Sequence, residues 1–201
     1  YQVDGLNWLI NMFQRGLSCV LHYEMVISSP FIALLIIAMI GIGKDVQIIS
    51  LLQYLHHDRG IHGPHLIVTP ASIAGNWINE IRRYSSGLYP IAFFGSKNKL
   101  VNTFHPIFTF LGILFKNEAK KEFTGKFEVM VTTSDLAIEQ AEFLSQWSWR
   151  YIIIDDPFLL KREEFPPTFR SFSSQHRLFS TSFPIVGIDL IRSRGLFTCF
   201  Q

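Results

Sequence analysis

Short apolar runs alternate with amphipathic stretches along most of the chain. The runs at residues 66–68, 91–94, 129–131, 151–154 and 178–179 contain no charged side chain, which is typical of strands that are buried on both faces of a parallel sheet. Between the first two runs, Ile73, Trp77 and Ile81 recur at helical spacing. The alternation predicts an α/β fold, a mostly parallel sheet with helices on both faces.

The amino-terminal residues carry a second helical pattern. Apolar side chains recur at Leu6, Leu9, Ile10 and Phe13, and Gly16 follows them. Because glycine commonly ends a helix, the pattern predicts an amphipathic helix over residues 3–15.

Residues 26–43 form an uncharged run of 18 residues, which reaches the lower limit for a membrane span. Pro30 interrupts the run, and it lacks basic flanks and aromatic anchors. We therefore expect a buried strand or a core helix here and no membrane association, with a membrane-attached product as a minor alternative. The run leads into Gly41-Ile42-Gly43-Lys44 and then into a helical pattern, so the order predicted is strand, glycine loop, helix.

Small polar or acidic residues follow four of the apolar runs. These residues are Thr69-Pro70, Thr132-Thr133-Ser134, Asp155-Asp156 and Thr181-Ser182. Ligands of open parallel sheets bind outside the carboxyl ends of the strands, so we expect the four groups and the glycine loop to lie along one edge.

Composition excludes several classes of protein. Only 17% of the 201 residues are charged and the formal net charge is +2, which excludes a disordered tail and gives no sign of a broad polyanion-binding surface. Cys19 and Cys199 share no metal-ligand spacing with the histidines. His56 and His57 are predicted to end a helix and not to bind a metal, and the tryptophans at 147 and 149 are predicted to pack against the sheet.

Two motifs carry candidate chemistry. A Gly-x-Gly-Lys loop that opens a helix can bind phosphate through backbone N–H groups and Lys44, although an ordinary turn has the same residues. Asp45 stands where a Ser or Thr usually ligates magnesium, and its charge opposes nucleotide binding. Asp155 and Asp156 follow an apolar strand and can hold Mg²⁺ and orient water, unless the strand simply exits into solvent there.

Longer motifs match in order along the chain. They are Tyr1-Gln2-Val3-Asp4-Gly5-Leu6-Asn7-Trp8-Leu9, Gly41-Ile42-Gly43-Lys44, Gly63-Pro64-His65-Leu66-Ile67-Val68-Thr69-Pro70, Asn76-Trp77-Ile78-Asn79-Glu80 and Trp149-Arg150-Tyr151-Ile152-Ile153-Ile154-Asp155. Together they resemble the Swi/Snf-type chromatin-remodelling ATPases, in particular the imitation-switch branch. The resemblance implies that residues 1–201 form a single RecA-like, three-layer helicase lobe.

The resemblance also implies a function and a set of site residues. It implies an ATP hydrolase of helicase type that uses Mg²⁺, works in the nucleus on DNA or nucleosomes, and joins other remodeller subunits. Gln2 would contact adenine, Gly41, Gly43, Lys44 and Asp45 the phosphates, Asp155 the Mg²⁺, and Asp156 would be the catalytic base. Thr69, Ser72, Thr132 and Thr133 would contact the DNA backbone.

Several positions depart from the family pattern. Asp45 replaces a threonine, Ala71 a lysine, Asp156 a glutamate and Phe158 a histidine. Residues 26–40 and 105–120 interrupt the match, either as genuine insertions or as translated non-coding sequence, and the match decays after residue 157.

These departures leave two functions open. One is the truncated ATP-binding lobe of a DNA-translocating remodeller, which lacks the second lobe and its arginine finger and therefore does not turn over ATP by itself. The other is a non-catalytic remnant that at most binds a nucleotide, a nucleic acid or a partner subunit.

Overall fold

The computed structural model describes residues 1–22, 30–94, 127–156 and 167–181. Within them, six strands form one sheet in the order β1-β6-β5-β2-β4-β3, and every neighbouring pair is parallel. The strands are β1 (Cys19–His22), β2 (His65–Thr69), β3 (Pro90–Phe93), β4 (Val129–Thr133), β5 (Trp149–Asp155) and β6 (Ser174–Thr181). The predicted parallel sheet is confirmed.

Helices cover both faces of this sheet. They are α1 (Gln2–Gln14), α2 (Pro30–His57), α3 (Ala74–Tyr84), and the short helices α4 (Ser134–Glu139) and α5 (Ala141–Leu144), with a 3₁₀ turn at Pro167–Arg170. Side chains alternate across β2, so that Ile67 packs with α1, α2 and α3 while Leu66 and Val68 pack with α4 and α5. The predicted three-layer α/β architecture is therefore confirmed.

The amino-terminal helix matches its predicted pattern. Leu9 is fully buried, and Leu6, Ile10 and Phe13 pack beside it against the core. Gly16 ends the helix with a φ of +71°, a left-handed conformation that costs glycine little. Its N–H donates to the carbonyl of Phe13 at 2.9 Å.

The second helix differs from the prediction. Residues 30–57 form one continuous helix, so that Gly41-Ile42-Gly43-Lys44 lies inside α2 and not in a loop that opens a helix. Pro30 suits the first position of a helix, and no proline follows it before residue 57. Of the two alternatives for the apolar run, a strand or a helix, residues 30–43 are helical, and β1 (Cys19–His22) provides the strand before this helix.

The remaining expectations concern the two tryptophans, a membrane span and residues near the departures from the family pattern. Trp147 and Trp149 are buried with their ring centroids 5.9 Å apart, which confirms that they pack against the sheet. Among the helices of the described residues, none is long and apolar enough to span a membrane. Residues 105–120, Phe158 and Ser182 lie outside the described residues.

Candidate functional site at the carboxyl edge of the sheet

Four adjacent strands end in polar residues at one edge of the sheet. In the strand register, Thr69 is paired with Thr133, and Asp155 with Ser180, one residue before the end of β6. Since all these strands are parallel, their carboxyl ends meet at the same edge, as the sequence predicts. We call this edge, together with Lys44 and Asp45 of α2 and Glu80 of α3, the carboxyl edge.

Asp155 is the buried centre of the carboxyl edge. It is 4% exposed, and its Oδ2 accepts hydrogen bonds from Trp77 Nε1 at 2.9 Å and Thr69 Oγ1 at 3.3 Å. Burial raises the pKa of Asp155, and the neighbouring Asp156 raises it further, whereas Trp77 and Lys44 oppose the shift. The resemblance assigns Asp155 to Mg²⁺, but one oxygen of this carboxylate already accepts a hydrogen bond from the Trp77 indole.

Lys44 contacts the second acid of this edge. Its Nζ lies 3.9 Å from Asp156 Oδ1, and the side chains of Lys44 and Asp156 are 4% and 16% exposed. Asp156 has a φ of +44°, a left-handed conformation that aspartate tolerates better than most residues. Its N–H donates to the carbonyl of Ser180 at 2.8 Å, which fixes it at the end of β5.

Asp45 lies beside a carboxylate that sequence reasoning did not include. Burial raises the pKa of Asp45 to about 9, and the charges of Asp155 and Glu80 add to the increase. Burial also raises the pKa of Glu80, and the charge of Asp155 raises it further. The two carboxyl groups therefore lie close enough for the charge of Glu80 to disfavour the ionised form of Asp45.

Trp77 and Glu80 belong to a motif that the sequence shows, but the sequence does not show which residues they contact. Both belong to the Asn76-Trp77-Ile78-Asn79-Glu80 motif on α3, and the helical spacing marks Trp77 as buried. Only the packing of α3 against α2 and β5 brings the Trp77 indole to Asp155 and the Glu80 carboxyl to Asp45.

Gln2, which the resemblance assigns to adenine, lies next to the glycine motif. A side chain placed on Gly43 would meet the hydroxyl of Tyr1 at 3.5 Å and Nε2 of Gln2 at 3.9 Å. The first turn of α1 therefore packs against α2 at the residue that precedes Lys44. The structure brings Gln2, Gly43 and Lys44 together, while Gly41 lies one half-turn further back along the helix.

The four residues assigned to DNA divide into two pairs. Thr69 and Thr132 have no exposed surface, so neither side chain can reach a phosphate in this arrangement. Thr133 is partly exposed and its Oγ1 accepts a hydrogen bond from the N–H of Leu136 at 3.4 Å, which caps α4. Ser72 is exposed in the turn before α3. A DNA contact is therefore kept as a proposal for Ser72 and Thr133 alone.

The arrangement does not fit a triphosphate that is held by a glycine loop. Inside a helix, backbone N–H groups donate to carbonyls four residues earlier, so those of Gly43 and Lys44 are not presented to a phosphate. Mg²⁺ fits poorly as well, because Asp155 Oδ2 already accepts two hydrogen bonds and Asp45 offers a protonated carboxyl. Lys44 remains as the cationic group of this edge.

Comparison with known proteins decides the family. The sequence model of a protein family, the SNF2-related domain, matches residues 1–191. The chain belongs to the SNF2-related domain family. Its fold agrees with this, since all of the chain superimposes with a TM-score of 0.66 on 34% of the Sulfolobus solfataricus SWI2/SNF2 ATPase core in complex with dsDNA, at 19% identity. The single RecA-like lobe that the sequence implies is therefore confirmed as a fold.

Curated relatives of this SNF2 domain are chromatin-remodelling ATPases. The chain is 37% identical over 189 residues to the ISWI chromatin-remodeling complex ATPase CHR17 of Arabidopsis thaliana. It is 32% identical over 187 residues to the human SWI/SNF-related matrix-associated actin-dependent regulator of chromatin subfamily A member 1. In both cases the match covers 92% of this chain and 15% of the relative, so the chain spans about one seventh of their length. The predicted resemblance is confirmed.

Proposed function

We propose that this chain is an ATPase lobe of the remodeller type that binds an adenine nucleotide weakly through Lys44 and does not hydrolyse it. The observation that carries the proposal is the contact between Lys44 Nζ and Asp156 Oδ1 at 3.9 Å. Lys44 follows Gly43, beside which Gln2 lies, and an acid of the same edge already contacts the lysine. A phosphate therefore has to compete with Asp156 for Lys44.

Three features of the carboxyl edge support the absence of hydrolysis. The glycine motif is helical and presents no loop of backbone donors. Asp155 is buried and hydrogen-bonded to Trp77. Asp45 adds a carboxyl group whose pKa is raised to about 9, instead of a hydroxyl. No catalytic step is proposed through Mg²⁺, because these groups do not fit its binding.

Titration of a fluorescent ATP analogue against the full chain tests the nucleotide proposal. Lys44→Ala is expected to weaken binding about tenfold or more, since a hydrogen bond to a charged group contributes about 1.5 to 3 kcal/mol. Asp156→Asn is expected to tighten binding, because a phosphate then no longer competes with a carboxylate for Lys44. Binding is expected to be the same in Mg²⁺ and in EDTA.

A surface variant provides the control for this titration. Arg82→Ala removes an exposed cation of α3 and is expected to leave the affinity unchanged. Equal affinities of wild type and Lys44→Ala contradict the proposal, and so does tighter binding in Mg²⁺ than in EDTA.

The names of the relatives support a second, coarser part of the proposal. They are ATPases of chromatin-remodelling complexes, and the structural neighbour is in complex with dsDNA. We accordingly place this lobe in the nucleus with DNA or nucleosomes and remodeller subunits as partners. Fluorescence anisotropy with duplex DNA tests the contact: Ser72→Glu should weaken binding, whereas Asn79→Glu on the exposed face of α3 should not.

A further inference from the structure

Three side chains with metal-ligating groups meet at the opposite edge of the sheet. His56 lies in the last turn of α2, His62 in the connection from α2 to β2, and Glu128 directly before β4. Since β2 and β4 are neighbouring parallel strands, the three residues lie at the amino ends of these strands. We call them the histidine–glutamate cluster, and none of them belongs to the carboxyl edge.

Three donor atoms of this cluster form a nearly equilateral triangle. His56 Nδ1 lies 2.8 Å and His62 Nδ1 lies 3.0 Å from the same oxygen, Glu128 Oε1. The two Nδ1 atoms are 3.1 Å apart. Each residue therefore offers one nitrogen or oxygen ligand atom to a shared position.

Hydrogen bonds among the three leave the cluster incompletely satisfied. Glu128 Oε1 can accept from both imidazoles, but two N–H donors then lie side by side at 3.1 Å. Glu128 Oε2 is buried and accepts no hydrogen bond from the described part of the chain. A buried carboxylate oxygen without a partner is unfavourable, and a cation bound to the carboxylate offsets that cost.

We propose that His56, His62 and Glu128 form a binding site for a divalent transition-metal ion of the Zn²⁺ class. Two imidazoles and one carboxylate suit Zn²⁺, whereas Mg²⁺ and Ca²⁺ prefer a shell of oxygen atoms. Ligands of a tetrahedral zinc ion at about 2.0 to 2.1 Å lie roughly 3.3 Å from each other. The observed separations need to open by only a few tenths of an ångström, and water completes the fourth position.

The backbone around the cluster holds the ligands in place. A side chain on Gly63 would overlap the carbonyl oxygen of Glu128, so the connection that carries His62 runs directly against Glu128. The N–H of His65 donates to that same carbonyl at 2.7 Å, and the N–H of Glu128 donates to the carbonyl of Tyr89 at 3.1 Å. His56 stands at the carboxyl end of α2, where the helix dipole favours a cation.

The position of the cluster explains why the sequence predicts no metal at His56 and His57. No carboxylate or cysteine lies near these histidines at ligand spacing along the chain. The fold instead brings Glu128 from the far side of the long connection between β3 and β4. A bound ion would join the α2–β2 connection to the start of β4.

Zinc titration of the full, metal-free chain tests the proposal. Competition with a chromophoric chelator should give one tight Zn²⁺ equivalent for the wild type and no comparable binding of Mg²⁺. His62→Ala removes a side chain that is 63% exposed. It should lower the Zn²⁺ affinity by about tenfold or more, because even the loss of a group that supports a metal ligand lowers affinity by about this factor. His57→Ala removes the adjacent exposed histidine and serves as the matched control.

Two further measurements make the outcome decisive. Co²⁺ in place of Zn²⁺ should give the visible absorption of a tetrahedral site in wild type and His57→Ala, and should lose it in His62→Ala and Glu128→Gln. Far-UV circular dichroism should show that all four proteins are folded. The proposal is overturned if the wild type takes up no Zn²⁺ in large excess, or if His62→Ala and Glu128→Gln bind it as the wild type does.

Discussion

The two edges of the sheet differ in how their polar groups are satisfied. At the carboxyl edge, Lys44 contacts Asp156 and the Trp77 indole donates to Asp155, so the groups of a familiar motif contact one another. At the opposite edge, which we call the amino edge because β2 and β4 begin there, His56 and His62 converge on Glu128. Glu128 Oε2 has no hydrogen-bond partner among the described residues. The groups of a recognisable motif can therefore contact one another instead of a ligand. Conversely, groups that can bind a ligand can meet where the sequence shows no motif.

The largest expected effect on stability comes from adding a side chain at Gly63, beside the histidine–glutamate cluster. Gly63→Ala places a methyl group against the Glu128 carbonyl oxygen, closer than van der Waals contact allows, so the backbone must shift. We expect a loss of about 3 kcal/mol in the free energy of unfolding, at the upper end of the range for overpacking. The shift should also separate His62 from Glu128 and weaken Zn²⁺ binding.

Gly75→Ala is the matched control for this substitution. Gly75 lies in α3, and a side chain there meets nothing within 4 Å. Because alanine favours a helix over glycine by about 1 kcal/mol, this variant should be slightly more stable. Urea unfolding measures both, and equal stability of the two variants would contradict the close approach at Gly63.

The next largest effect tests the hydrogen bond at the carboxyl edge. Trp77→Phe keeps an aromatic ring but removes the N–H that donates to Asp155 Oδ2 at 2.9 Å. We expect a loss of about 1 to 3 kcal/mol, the cost of leaving a buried acceptor without its donor. Chemical denaturation provides the measurement.

Trp147→Phe separates this hydrogen bond from the loss of ring area. Trp147 is also buried, but its Nε1 has no hydrogen-bond partner among the described residues. The change at residue 147 should therefore cost less than the change at residue 77. The reverse order would show that Trp77 acts by packing alone.

The last effect is a change in the pH dependence of stability. Folding raises the pKa of Asp45 from 3.8 to about 9, mainly by burial. The folded chain then binds this proton more tightly than the unfolded chain, so stability is greatest at low pH and falls as the pH rises through this interval. Asp45→Asn removes that decline, so the stability of this variant relative to the wild type should be higher at pH 8 than at pH 5.

An exposed aspartate near the end of the same helix provides the comparison. Asp58→Asn makes the same chemical change at an exposed position and serves as the matched control. Thermal unfolding at several pH values measures all three proteins. If wild type and Asp45→Asn show the same pH dependence, the raised pKa of Asp45 is contradicted.

The sequence predicts features that depend on local pattern. The apolar runs give five of the six strands of the described sheet, and the spacing of Trp77 and Ile81 gives the buried face of α3. The meeting of strand ends at one edge follows, because parallel strands share a direction. Each of these depends on residues that are close in sequence or on a rule about sheets.

Features that depend on packing between distant segments could not be predicted in this way. The apolar run before Gly41 is compatible with a strand or a helix by its composition, and only the fold shows that α2 continues through the glycines. The contacts of Glu80 with Asp45 and of Glu128 with His56 join different elements. No periodicity in the chain indicates either contact.

The most direct test of the contrast between the two edges is DNA-stimulated phosphate release by the full chain. Wild type, Lys44→Ala and Asp155→Ala are compared with Mg²⁺-ATP in the presence and absence of duplex DNA. We expect no release by the wild type above the level of Lys44→Ala, because Lys44 contacts Asp156 and the glycine motif is helical. Release that DNA stimulates and that both substitutions abolish would contradict a carboxyl edge that does not hydrolyse ATP.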